Sequence, residues 1–154
     1  MPDSPRLRFM LRYLVAMAPA SLLWEFSHMP LYTLWLEAAA WEIVYAGLHC
    51  TGGDVLIGAG ALLLAFSLFG GSGWPRQRVV VVALAAMVFG LGYTIVSEGL
   101  NITLRQSWAY RDIMPRLPLL GTGLSPLLQW LVIPPLAYVL AWKTGRDAAN
   151  DPRR

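Results

Sequence analysis

Charge is what this chain has least of. Asp, Glu, Lys and Arg make up 14% of it, where an ordinary soluble domain carries about 25%. Hydrophobic residues reach 56% and lie in long runs instead of alternating with polar ones, the distribution of a chain whose solvent is lipid. Cysteine is nearly absent: Cys50 stands alone, which excludes an intrachain disulfide, a CxxC couple and the membrane thiol oxidoreductases that need paired cysteines. A full signal peptide is lacking too. Arg6, Arg8 and Arg12 could serve as its basic region and Ala18-Pro19-Ala20 as a cleavage site. Only about five apolar residues lie between them, short of the ~7–15 such a segment needs, so the first helix is expected to stay uncleaved. A basic patch is also missing. The net charge is +3, but the basic residues sit at segment ends, which argues against nucleic acid. No internal repeat or low-complexity segment is visible.

What is present reads as four membrane spans, over about 12–36, 54–70, 79–97 and 124–142, in a single membrane domain with a tail at 143–154. The expected fold is all-α, an integral membrane four-helix bundle. Pro30 should kink or end the first span. Gly52-Gly53 should form a turn that lets Asp54 cap the second. Pro134-Pro135 should break the fourth into two half-helices. The Val run at 79–82 is read as helix, because a helix is the only open-ended structure that satisfies its backbone in lipid. Small residues at four-residue spacing, Ala61 with Ala65 and Ala86 with Gly90, should let the second and third spans pack closely, with Gly58, Gly60 and Gly92 adding flat surface.

Nine of the twelve basic residues fall on one side of this topology: Arg6, Arg8, Arg12, Arg76, Arg78, Lys143, Arg146, Arg153 and Arg154. Arg105, Arg111 and Arg116 fall on the other. The positive-inside rule then places both termini in the cytoplasm, in what is expected to be a bacterial inner membrane. Residues 31–49 hold Tyr32, Trp35, Trp41 and Tyr45 together with Glu37 and Glu42, which suits an interfacial helix between the first two spans. The outer loop over 99–123, with Trp108, Tyr110 and Asp112, reads as a lid. Trp24, Trp35, Trp41, Trp74, Trp108, Trp130 and Trp142 fall mostly near span boundaries, where anchoring accounts for them.

The intramembrane polar residues gather toward the outer side. Glu25 and His28 lie roughly 20 and 24 Å above Arg12 at 1.5 Å per residue. His49, Cys50 and Asp54 stand where the second span begins, Glu98 ends the third, and Gln129 lies just inside the fourth. An ionisable group at such depth costs several kcal/mol unless paired, which makes it a functional candidate. Glu25-x-x-His28 puts a carboxylate and an imidazole on one helix face, the spacing that offers both to one metal in di-iron bundles. His49, Asp54 and Glu98 are the candidate completions. His49 and Cys50 could alternatively serve as soft ligands for copper or zinc, and His28 with His49 could hold a haem. Against these stand a hydrogen-bonded Glu–His pair that only ties helices together, and acid–base chemistry.

Glu98, followed by Trp108-Ala-Tyr110 and Pro118, carries one likeness. Residues 97–118 resemble a membrane-loop pattern of carotenoid hydratases and lycopene-cyclase-type proteins, in which an acidic residue at a helix end precedes an aromatic-x-Tyr loop and a proline. The glycine-rich lead-in is replaced here by Arg105-Gln106-Ser107, and the paired acidic motif of the cyclases is absent. The resemblance covers about a seventh of the chain. It implies proton donation from a carboxyl to an isoprenoid double bond.

Three functions follow as expectations. One is a small membrane enzyme acting on a lipid or isoprenoid through Glu25, Glu98 and Tyr110. The second is a metal-binding or metal-handling protein using Glu25, His28, His49 and Asp54, with a transition metal as its cofactor. The third is a non-catalytic subunit of a membrane complex or homo-oligomer, its polar cluster an interhelical network.

Overall fold

A computed structural model of the chain describes residues 4–74 and 77–149. Of the basic residues used for orientation, Arg76, Arg153 and Arg154 lie outside them, as does the end of the expected tail. The described residues are helical apart from turns, loops and two isolated bridges. In chain order they form α1 (Pro5–His28), a 3-10 turn (Met29–Leu31), the single-turn α2 (Leu34–Glu37), α3 (Ala40–Phe69), α4 (Val79–Gly99) running into a π turn (Leu100–Leu104), and α5 (Leu124–Ala149).

Four of these helices are long and apolar enough to cross a membrane. Their outward faces carry Val15, Leu23, Leu56, Val80 and Leu136, all well exposed. A continuous apolar exterior of that extent has no place in water. The fold therefore defines an integral membrane protein.

The helices form a four-membered ring in which α1 packs on α3 and α5, and α4 packs on the same two from the opposite side. The start of α1 and the end of α5 lie at one end of this bundle, here called the terminal end. The segments joining α1 to α3 and α4 to α5 lie at the other, the loop end.

Helix boundaries differ from the sequence expectation for identifiable reasons. The first helix starts early because Pro5 is preset for the opening helical turn, where its missing N–H costs nothing. It stops at His28, as Pro30 requires. The turn expected at Gly52-Gly53 does not exist: α3 runs straight through both glycines, and Asp54 is a mid-helix residue and not a cap. A turn there would strand backbone donors and acceptors at membrane depth, a larger penalty than the ~1 kcal/mol that each helical glycine costs. The segment expected as one interfacial helix is accordingly divided. Its first part is α2, and residues 40–49 belong to α3, whose start is fixed by the Glu42 carboxylate accepting the Ala39 N–H at 2.8 Å. Nor do Pro134-Pro135 break α5. Ile133 and Ala137 are buried on either side of them, so packing holds the helix across the two lost donors.

At the terminal end the core is aromatic. Phe9 meets the Trp74 ring edge-on at 4.9 Å and Tyr138 at 4.8 Å, and Phe66 meets Trp74 at 4.6 Å. The Tyr138 hydroxyl donates to the Val79 carbonyl at 2.9 Å. Midway, Trp130 is almost wholly buried, and its ring fills the place that a Cβ at Gly90 would occupy. Gly90 thus serves the α4–α5 contact and not the expected one with α3. Trp74 and Trp130 are core residues, whereas Trp35 and Trp41 are exposed as boundary residues should be.

Candidate functional site

Above Trp130 the core changes character. Each of the four spanning helices contributes a polar side chain to the loop-end third of the bundle: Glu25 from α1, Asp54 from α3, Glu98 from α4 and Gln129 from α5. Glu25, Glu98 and Gln129 are buried. The Gln129 amide donates to Asp54 Oδ2 at 2.5 Å. Glu25 lies near the Asp54 carboxyl.

Glu25 Oε2 also faces His28 Nε2 at 3.1 Å, and His28 Nδ1 lies 2.9 Å from the Ser125 hydroxyl. The arrangement that satisfies every atom puts the imidazole proton on Nε2, toward the carboxylate, while Nδ1 accepts from Ser125. The Glu25-x-x-His28 face read from the sequence therefore exists, and it binds α1 to α5.

Glu98 belongs to a second chain of bonds. The Tyr110 hydroxyl donates to Glu98 Oε2 and accepts the Gly123 N–H at 2.9 Å. Burial, reinforced by the bond to Glu98, pushes the Tyr110 phenol above its ordinary range, so it remains a donor. Burial and the nearby Glu98 raise Tyr32 likewise. The Tyr32 ring packs between His28, edge-on at 5.2 Å, and Tyr110, tilted at 5.4 Å. Strand-like pairing fixes this geometry, with Thr33 N–H donating to the Ala109 carbonyl at 3.0 Å and Arg111 N–H to Leu31 at 2.9 Å. The Arg111 guanidinium adds a bond to the Pro30 carbonyl at 2.7 Å. The loop expected as a lid is thus pinned across the end of α1 by Tyr32, Tyr110 and Met114.

Four buried side-chain polar atoms have no hydrogen-bond partner among the described residues, Trp24 Nε1 and three next to these chains. Ser21 Oγ and Thr94 Oγ1 lie one helical turn below Glu25 and Glu98, and the Trp108 indole N–H lies beside Glu98 without completing a hydrogen bond. Such orphans are uncommon in a finished core. Ser21, Thr94, Ser125 and Tyr32 were not candidates from the sequence. The i−4 register below each carboxylate was the signal for the first two, and nothing local marked the others.

The metal expectation fares differently. His49 is exposed, its ring stacked on Tyr45 at 5.7 Å, away from His28. Among the described residues no three His, Cys, Asp or Glu side chains are arranged to hold a metal ion. His28 is buried whereas His49 is exposed. Cys50 is half-buried on the face of α3 that carries Asp54 one turn further on, with no second soft ligand beside it.

Fold and site together define the class: a four-span membrane protein with a buried, hydrogen-bonded carboxyl cluster at one end. No known family model, curated protein or solved structure matches the chain.

Proposed function

We propose that the protein is a membrane enzyme that transfers protons to a lipid or isoprenoid substrate at its loop end, with Glu25, Glu98 and Tyr110 as the reacting groups. The observation that carries this reading is the single polar layer to which all four helices contribute, set in an otherwise apolar bundle. Burying two carboxyls beside a half-buried third costs more than a helix contact requires, since apolar side chains would pack there at no such cost. Glu25 is the proton donor in this reading, and His28 orients it. Glu98, fixed by Tyr110, faces the positive charge that grows on carbon as a double bond is protonated. Water then adds to that carbon, its surplus proton returns to the carboxylate that acted as acid, and the balance is one water added across the bond. The resemblance of residues 97–118 to carotenoid hydratases and lycopene cyclases points to the same chemistry.

The terminal end, bearing Arg6, Arg8, Arg12, Arg78, Lys143 and Arg146, faces the cytoplasm in this reading, and Arg105, Arg111 and Arg116 face outward. The membrane is the bacterial inner membrane, and α2, which carries the exposed Trp35, lies along the outer surface.

Solvent deuterium tests the proposal. Membranes containing the protein are incubated in D2O and their lipids analysed by mass spectrometry. At least one species gains deuterium with the wild type, and Glu98→Gln lowers the rate by roughly 10²-fold, the range of a lost charge-stabilising group. Equal uptake in membranes with and without the protein would end the enzymatic reading.

A further inference from the structure

A serine or threonine inside a helix has a hydrogen-bond acceptor within reach, the carbonyl four residues back along its own chain. Five hydroxyls of this protein use it: Ser27 donates to Leu23, Thr51 to Gly47, Ser67 to Leu63, Thr103 to Gly99 and Thr144 to Leu140. Two more are bonded to side chains, Ser125 to His28 and Ser97 to Asn101. Among the described residues that leaves Ser21 and Thr94 as the helical hydroxyls with no bond at all. Both are buried, at 0% and 7% exposure. Each forgoes a bond that its own helix offers, to the Met17 or the Gly90 carbonyl, and carries an unrelieved desolvation cost instead.

Their positions share a second feature. Ser21 stands one turn below Glu25 on α1, and Thr94 one turn below Glu98 on α4. Helical side chains lean toward the N-terminus, so residues four apart stand one above the other on the same face. Their Cβ atoms are then about 5–6 Å apart, and neither hydroxyl closes a direct bond to the carboxyl above it. The bonds that these carboxyls make to His28 and Tyr110 both use Oε2, which leaves Oε1 of each to accept another. One water spans such a gap, accepting from the hydroxyl and donating to the carboxylate. It has there the two polar partners that a buried water needs.

We propose that Ser21 and Thr94 each hold one internal water against the carboxyl above it, Glu25 and Glu98 respectively. The two water sites stand whether or not the protein is an enzyme. One consequence rests on the proton-transfer reading: Ser21 and Thr94 are then positioning residues, each acting on a carboxyl through its water.

The test is a crystal structure of the full chain, grown from lipid at a resolution that shows ordered water, for the wild type, Ser21→Ala and Thr94→Val. The wild type is expected to show two waters. One lies about 2.7–3.0 Å from Ser21 Oγ and from the Glu25 carboxyl, the other equally close to Thr94 Oγ1 and the Glu98 carboxyl. Each variant loses its own water and keeps the other, and Thr94→Ser, which retains the hydroxyl, keeps both. Ser21 Oγ turned onto the Met17 carbonyl overturns the first site, and Thr94 Oγ1 turned onto the Gly90 carbonyl overturns the second. Unfolding in mixed micelles gives a second readout, decided by its sign. Removing a hydroxyl that bonds nothing relieves the fold, so the folded-to-unfolded ratio would rise. Removing one that holds a water leaves the water and its carboxyl short of a partner, and the ratio falls about tenfold. A rise in Ser21→Ala or Thr94→Val overturns the water at that residue. Ser67→Ala, at a hydroxyl satisfied by its own helix, controls and changes little. Two waters without deuterium uptake by lipids would retire the enzyme and leave the sites standing, whereas uptake with both hydroxyls bonded to their own helices would do the reverse.

Discussion

The two ends of the bundle solve the problem of a buried core in opposite ways. At the terminal end Phe9, Phe66, Trp74 and Tyr138 interlock edge to face, and the polar tips present are satisfied locally, Tyr138 by the Val79 carbonyl. At the loop end four helices turn carboxyls and an amide inward, and orphan atoms at Ser21, Thr94 and Trp108 remain beside them. Aromatic packing yields stability with no functional by-product. A carboxyl layer is an expensive way to join helices, which is why the proposed chemistry is placed at that end.

The contrast can be broken in a definite order. Phe9→Ala should have the largest effect on stability, about 3–5 kcal/mol for deleting a buried aromatic ring. Unfolding in mixed micelles measures it, and deuterium transfer per folded molecule should stay at the wild-type value. A matching loss of transfer would mean that the two ends are not independent. Tyr110→Phe comes next. It removes a charge-assisted bond and should loosen the loop by about 1.5–3 kcal/mol, read as faster amide exchange over residues 108–117, with global unfolding little changed.

The same tyrosine sets a pH limit. Its phenol is raised in the folded state, so its contribution is complete below the ordinary tyrosine value of about 10 and is lost only as pH climbs through the raised one. Loop exchange should therefore be flat in this respect from pH 5 to about 9 and accelerate above about 10. In Tyr110→Phe the alkaline step due to this group should vanish, and its persistence would assign the step elsewhere. The smallest effect belongs to His49→Ala, within about 0.5 kcal/mol as for an exposed residue that takes no part in the network. His28→Ala should instead unlink Glu25 from Ser125 and reduce deuterium transfer. If the two histidine variants behaved alike, the separation of His49 from the site would be wrong.

Much of this organisation is legible in the sequence. The apolar runs at 79–97 and 124–142 mark spanning helices because lipid leaves the backbone no other choice. The asymmetric depth of Glu25, His28 and Glu98 follows from helical rise alone. Gly52-Gly53 misled because glycine marks a turn in water, where a freed backbone group finds solvent; at membrane depth it finds none, and the helix continues. His49 is exposed, and its adjacency to Cys50 and Asp54 says nothing about which face of α3 it occupies.

By itself, then, the sequence determined the number of spans and the end of the bundle where polarity collects, since both depend on one-dimensional quantities: run length, charge position and distance along a helix. Only the tertiary structure decided which groups meet. Asp54 bonds Gln129 across 75 residues and His28 meets Ser125 across 97, while His49, three residues from the start of the expected turn, faces away. Partners on different helices are set by the rotation of each helix about its axis. That rotation is fixed by packing such as Trp130 on Gly90 and Met17 on Gly58, which is a property of the assembled bundle.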